Sequence, residues 1–160
     1  MSDNQLALAL LASVMDAHPQ TIVGALELTT PDDVRLLDAP TADVLGVALS
    51  LAKEGKAPAP ILLNAELVRL GMYDGHQGHL RKLRVIDATT TWCPGERLPE
   101  FAAAALAEVL RARMIAAGEA IVERARSGAE EDAWQTLVRE GAAVRSLWTR
   151  LCAVREEVGA

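Results

Sequence analysis

The chain reads as all-α: a globular head of about five short helices followed by a long antiparallel helical hairpin. Three observations predict this. Alanine, leucine, arginine and glutamate dominate and β-branched runs are scarce, a composition of helix formers. Apolar residues recur at three- and four-residue steps, the spacing of one helix face. The stretch from Arg97 to Val158 is broken only at Ser127-Gly128, so each half runs to roughly 27–30 residues, against about 11–12 for an ordinary helix.

The head, residues 1–95, is punctuated by caps and prolines. Ser2 or Asp3 can accept hydrogen bonds from the free amides of a first helix over about Asp3–Asp16. Its apolar stripe is Leu6, Leu10, Leu11 and Val14. His18-Pro19 ends it, because proline pushes the preceding residue out of the α region. A short helix from Pro19 to Leu28 begins with proline in its first turn. Thr30-Pro31-Asp32-Asp33 opens a single turn carrying Leu36 and Leu37. A helix from Pro40-Thr41 to about Glu54 buries Val44, Leu45, Ala48 and Leu51, and Gly55 stops it. Prolines extend the loop 55–60. Helices follow at about Ile61–Leu70, closed by Gly71, and at about Gln77–Ala88. Residues 89–95, TTTWCPG, form an irregular connector.

The hairpin, residues 96–160, completes one structural unit with the head. Its two arms are joined by too few residues to be anything but antiparallel. At 1.5 Å per residue each arm spans about 40–45 Å, too long for a head of this size to cover. Leu106, Leu110, Met114, Ala117 and Ile121 mark one face of the first arm, widened by Val109, Ala112, Ala116 and Ala120. In the second, Trp134, Leu137, Gly141, Val144, Trp148, Leu151 and Val158 keep heptad steps, interrupted only at Arg155. Val138, Leu147 and Val154 flank that seam, so the apolar surface is wider than one partner helix needs. Exposed tryptophans favour an intermolecular contact over packing on the head. Leu106, Leu110, Met114, Ile121, Trp134, Leu137, Val144, Trp148 and Leu151 are therefore the expected dimer or partner interface.

Catalytic constellations are missing from the sequence. Glu54-Gly55-Lys56-Ala57 lacks the first glycine and the Ser/Thr of a phosphate-binding loop. His76 and His79 have metal-like spacing, but structural zinc takes four ligands, and two histidines at a helix start read as solvated. Glu130, Glu131 and Asp132 sit where negative charge suits a helix N-terminus. The serines have no histidine nearby in sequence and no nucleophile elbow. The reading is of a non-enzyme without cofactor, metal or catalytic residues. A formal net charge of −6 argues against a broad nucleic-acid-binding face. Two cysteines are too few for a disulfide framework and fit free thiols in a reducing cytoplasm. The first residues lack a basic segment and a cleavage pattern, and no apolar run reaches the ~18 residues of a membrane span. The opening Met and the closing REEVGA favour a complete product over an excised domain.

Over residues 6 to about 150 the order and spacing of segments resemble the N-terminal domain of DnaB-type replicative helicases. Leu10-Leu11-Ala12-Ser13-Val14-Met15 stands at that family's Val-Leu-Gly-x-Leu/Met helix, and Leu36-Leu37-x-x-Pro40 at its Phe-Tyr-x-x-Pro. Ile61-x-Leu63, Leu67 and Gly71-x-x-Asp74 follow its Ile-Thr-Leu…Leu…Gly-x-Leu-Asp run. Gly78-His79-Leu80-x-x-Leu83 is a shortened version of its Gly-Gly-x-x-Tyr-Leu-x-x-Leu, and Pro94 and Phe101 open the first arm. No single motif is specific; the ordered set carries the resemblance. It implies a head-plus-hairpin whose hairpins pair into dimers, with three dimers forming a hexameric collar on which primase and loader proteins act. Departures fall at Ala7, Ala12, Ala59, Leu62 and Ala112, where the family has acidic, glycine, Asp, Thr and arginine residues, and the RecA-type motor domain is missing. The implied function is a non-catalytic dimerisation module contacting helicase, primase or loader in DNA replication. The alternatives are a primase-type helicase-binding module, which has a similar head and hairpin, and an unrelated helical regulatory protein.

Overall fold

Ser2 closes the amide end of the first helix reciprocally: its hydroxyl accepts from the Gln5 N–H, and its own N–H donates to Gln5 Oε1 at 2.9 Å. The computed structural model describes residues 2–160, and all regular structure among them is helical. Helix α1 (Asp3–Asp16) buries Leu6, Leu10, Leu11 and Val14. Helix α2 (Pro19–Leu28) follows at once, with His18 Nδ1 accepting from the Gln20 N–H at 3.4 Å. The single turn α3 (Pro31–Val34) is capped by Thr30, with Asp33 answering reciprocally. Its inward residue is Val34, not the expected Leu36, which is exposed, while Leu37 is partly buried.

Helix α4 (Ala39–Lys53) starts one residue earlier than its proline signal implies. Asp38 is the cap, its Oδ2 accepting from both the amide and the hydroxyl of Thr41. This helix contacts α1, α2 and α3, together with α5 (Pro60–Arg69) and α6 (Gly75–Thr90), so it is the centre of the first six helices. Helix α6 is two residues longer at each end than the apolar pattern implies, because Gly75 takes φ +70° and turns the chain into it. Gly78 lies where a Cβ would fall 2.0 Å from the Tyr73 carbonyl carbon, so only glycine fits that crossing.

A short 3-10 turn, Gly95–Arg97, leads into α7 (Leu98–Ser127), and α8 (Glu130–Gly159) returns after a two-residue break. Each of these last helices has 30 residues, about 45 Å of length. Their pairing is antiparallel: Leu106 and Leu110 share a cluster with Leu147 and Leu151, and Arg113 meets Glu140 at 2.7 Å.

Buried residues fall into two clusters. The larger gathers α1, α2 and α4 with Leu63 and Leu67 of α5, Val85 and Ala88 of α6, and Leu98, Ala102 and Ala105 of α7. The core thus runs across residue 96 into the start of α7. The smaller packs Leu106, Val109 and Leu110 on Leu147, Leu151 and Val154. Each wholly buried leucine contributes about 1.5–3 kcal/mol relative to exposure. Polar stitches hold the junction. Thr29 Oγ1 donates to the Ala102 carbonyl at 3.0 Å, Ser13 Oγ to that of Pro94 at 2.9 Å, and the Gly95 N–H to Asp16 Oδ2 at 2.8 Å. From Gly118 to Gln135 no residue is buried, so the far end of the α7–α8 pair is held by little beyond itself.

Candidate interaction surface

The inner face of α8 packs against α7. Thr136, Glu140, Leu147, Leu151 and Val154 are buried there, the last three against Leu106, Val109 and Leu110. This corrects the single heptad seam expected from the sequence. Leu151 and, partly, Val144 go to the inner contact, while Trp134, Leu137, Gly141 and Trp148 stand about one 100° step to the side and stay exposed.

The nine expected interface residues therefore divide. Leu106, Leu110 and Leu151 are buried between α7 and α8, and Val144 packs on their cluster. They hold the chain's own helices together and present no surface. Trp134 and Trp148 keep 59% and 52% of their area accessible, and Met114 and Leu137 are also exposed. Ile121 is half-buried beside them: with Ala133, Trp134 and Leu137 it lines an open cleft of ≈ 400 Å³ near the Ser127-Gly128 turn. In an antiparallel pair, residues displaced the same way round both helices emerge on the same side, so Met114, Gly118 and Ile121 adjoin Trp134, Leu137, Gly141 and Trp148. The result is one elongated apolar face crossing both helices. Val138, Ile115 and Val122 add to it at the margins.

A buried carboxylate sits behind this face. Glu140 is only 7% exposed. Arg113 Nη2 lies 2.7 Å from its Oε2, yet that oxygen receives no hydrogen bond of acceptable direction. The contact is an ion pair with poor alignment. Its other oxygen lies 3.5 Å from Arg139 Nε. Such a pair sets register between two helices more readily than it adds stability.

The first six helices have a different electrostatic pattern. Asp43 takes both Arg35 and Arg81 at 2.8 Å, and Asp38 takes Arg84 Nε at 2.8 Å. Burial works against the charged form of each carboxyl. The hydrogen bonds from Arg84 and Thr41 to Asp38, and from Arg81 and Arg35 to Asp43, outweigh it and hold both below the ordinary carboxylate value. Arg81 and Arg84 are thereby committed within the chain. Of the neighbouring cations Arg81, Lys82 and Arg84, Lys82 alone remains outside these pairs.

His76 and His79 lie exposed on the first turn of α6, and among the described residues no three His, Cys, Asp or Glu side chains converge as a metal site would require. Both cysteines are free thiols, and burial pushes the Cys93 thiol upward, away from the reactive thiolate. Among the described residues, no helix is long and apolar enough to cross a membrane.

Sequence reasoning missed a second set of exposed apolar side chains. Ile61 and Trp92 are 85% and 86% accessible, and Val68 and Ile86 are exposed on α5 and α6. Ile61 stands two positions from buried Leu63, so the two cannot share a helix face. That spacing was the available signal. No protein-family model, curated protein or solved structure matches the chain.

Proposed function

We propose that the chain is a non-catalytic protein-interaction module: a helical head that carries and orients a long hairpin, which self-associates and serves as a docking element. The observation that carries this is the apolar face of Trp134, Leu137 and Trp148, left exposed after the hairpin has closed on itself. Apolar faces of that extent, centred on large aromatics, mark association surfaces.

The ordered resemblance to the DnaB-type N-terminal domain gives this module its setting. The homodimer stands as a collar-type unit in DNA replication, able to form a higher oligomer and to contact helicase, primase or loader. The test has two arms. Sedimentation of the purified protein gives a dimer, and surface-immobilised protein retains the host's purified helicase or primase but not the Trp148→Glu variant of itself. A monomer that retains neither protein would remove the proposal.

A further inference from the structure

We infer that the second copy binds along α8 in antiparallel register, with the two-fold axis passing Gly141. This rests on the self-association reading and specifies its geometry. Gly141 occupies the middle of a 30-residue helix, where glycine costs about 1 kcal/mol relative to alanine. Nothing within the chain requires it: a Cβ built there meets no atom within 4 Å. Gly118, on the adjoining edge of α7, is equally unobstructed. A bare backbone at this position permits the close approach of another helix.

The sequence around Gly141 is self-complementary. A two-fold contact requires that if one residue meets a second across the axis, the second meets the first. Trp134 and Trp148 stand seven residues to either side of Gly141. Two turns of helix separate each from the glycine, so all three lie on one stripe. Antiparallel pairing about Gly141 sets Trp134 against the partner's Trp148 and Trp148 against the partner's Trp134. Parallel pairing would oppose each tryptophan to itself and every charge to its like.

Charge follows the same symmetry. Glu130 begins α8, Arg145 and Arg155 lie in its second half, and all three are exposed. None takes part in an ion pair among the described residues. The antiparallel register brings the acidic end of one α8 beside the partner's Arg155, about one turn away. It also sets the partner's Arg145 level with Leu137, one turn from Trp134, within reach of the indole face. The two glycines at the crossing let the helices close on these contacts.

Site-directed cross-linking of the full chain tests the register, in a Cys93→Ser, Cys152→Ser background whose helicity is checked by circular dichroism. Gly141→Cys should form a disulfide with its own copy. Trp134→Cys and Trp148→Cys should each cross-link poorly alone and efficiently when mixed. As a second readout, Gly141→Val should raise the dimer dissociation constant at least ~10-fold with helicity unchanged, and Gly141→Ala should fold with equal or greater stability. A dimer in which Trp148→Cys cross-links to itself, or which tolerates Gly141→Val, overturns the register and leaves self-association standing. A wild-type chain that is monomeric at every concentration overturns both.

Discussion

The guanidinium of Arg150 on α8 grips the carboxylate of Asp33 at the end of α3 across 117 residues of sequence, Nη2 donating to Oδ1 at 3.0 Å. Arg150 Nη1 also donates to the Leu28 carbonyl at 3.1 Å. One side chain thus fixes the returning helix to the ends of both α2 and α3, and with it the direction in which the α7–α8 pair leaves the first six helices. Asp33 is already held by Thr30, whose amide and hydroxyl both donate to its Oδ2, so the anchor is rigid before Arg150 arrives.

Arg150→Met keeps most of the aliphatic packing and leaves Asp33 facing a partly buried gap. It should cost about 1–3 kcal/mol, read by urea denaturation. Hydrogen exchange should rise first over residues 147–159, the segment released from Leu28 and Asp33.

The ion pair at the middle of α7–α8 separates loss of one partner from replacement of the pair. Arg113→Ala leaves Glu140 buried without its cation and should destabilise by about 3 kcal/mol. The double replacement Arg113→Met, Glu140→Leu fills the same space without a charge and should be neutral or stabilising. If the double replacement were the more damaging of the two, the pair would be contributing net stability through its 2.7 Å approach.

Two glycines should respond in opposite directions. A Cβ at Gly95 would lie 2.4 Å from the Asp16 carbonyl carbon, and backbone cannot step aside as a flexible side chain can. Gly95→Ala should therefore cost at least ~2 kcal/mol by parting the start of α7 from α1. Gly118→Ala meets nothing and should gain about 1 kcal/mol in the fold. Thermal melts of the two variants check both signs.

Acid should weaken the first six helices. The folded-state carboxyls of Asp38 and Asp43 are held below their ordinary value, so the protons they bind favour the unfolded chain. Their contribution is complete above the unfolded aspartate value of about 3.9 and declines as pH falls through the lower folded values. Asp38→Asn retains a capping side chain but cannot ionise. Its melting temperature should fall less steeply below about pH 4 than that of the wild type.

Much of the helical order is written in caps and breakers. Thr30, Pro19, Gly55 and Gly71 stand where the chain turns, and the α2 and α3 boundaries follow from them directly. The cap of α4 was obscured because Asp38 precedes Ala39-Pro40, and the proline drew the start signal to itself. The apolar character of the α7 and α8 faces was also legible, but not its division. Heptad counting ranks Trp134, Val144, Trp148 and Leu151 together, since all recur at three- and four-residue steps. Which of them turn inward depends on what α7 sets opposite, here Leu106, Val109 and Leu110 against Val144 and Leu151, and that belongs to the other helix. Glu140 was unreadable for a related reason: a lone acid on a heptad position looks solvated until Arg113 arrives from α7.

Sedimentation equilibrium of the wild type beside Trp148→Glu tests self-association through the hairpin most directly. Trp148 is half exposed, so the substitution removes no wholly buried side chain and should leave the helicity of the monomer intact. The predicted result is a concentration-dependent dimer for the wild type and a monomer for Trp148→Glu, a charge being costly in a desolvated contact. A wild type that stays monomeric, or a variant that dimerises equally well, would contradict it.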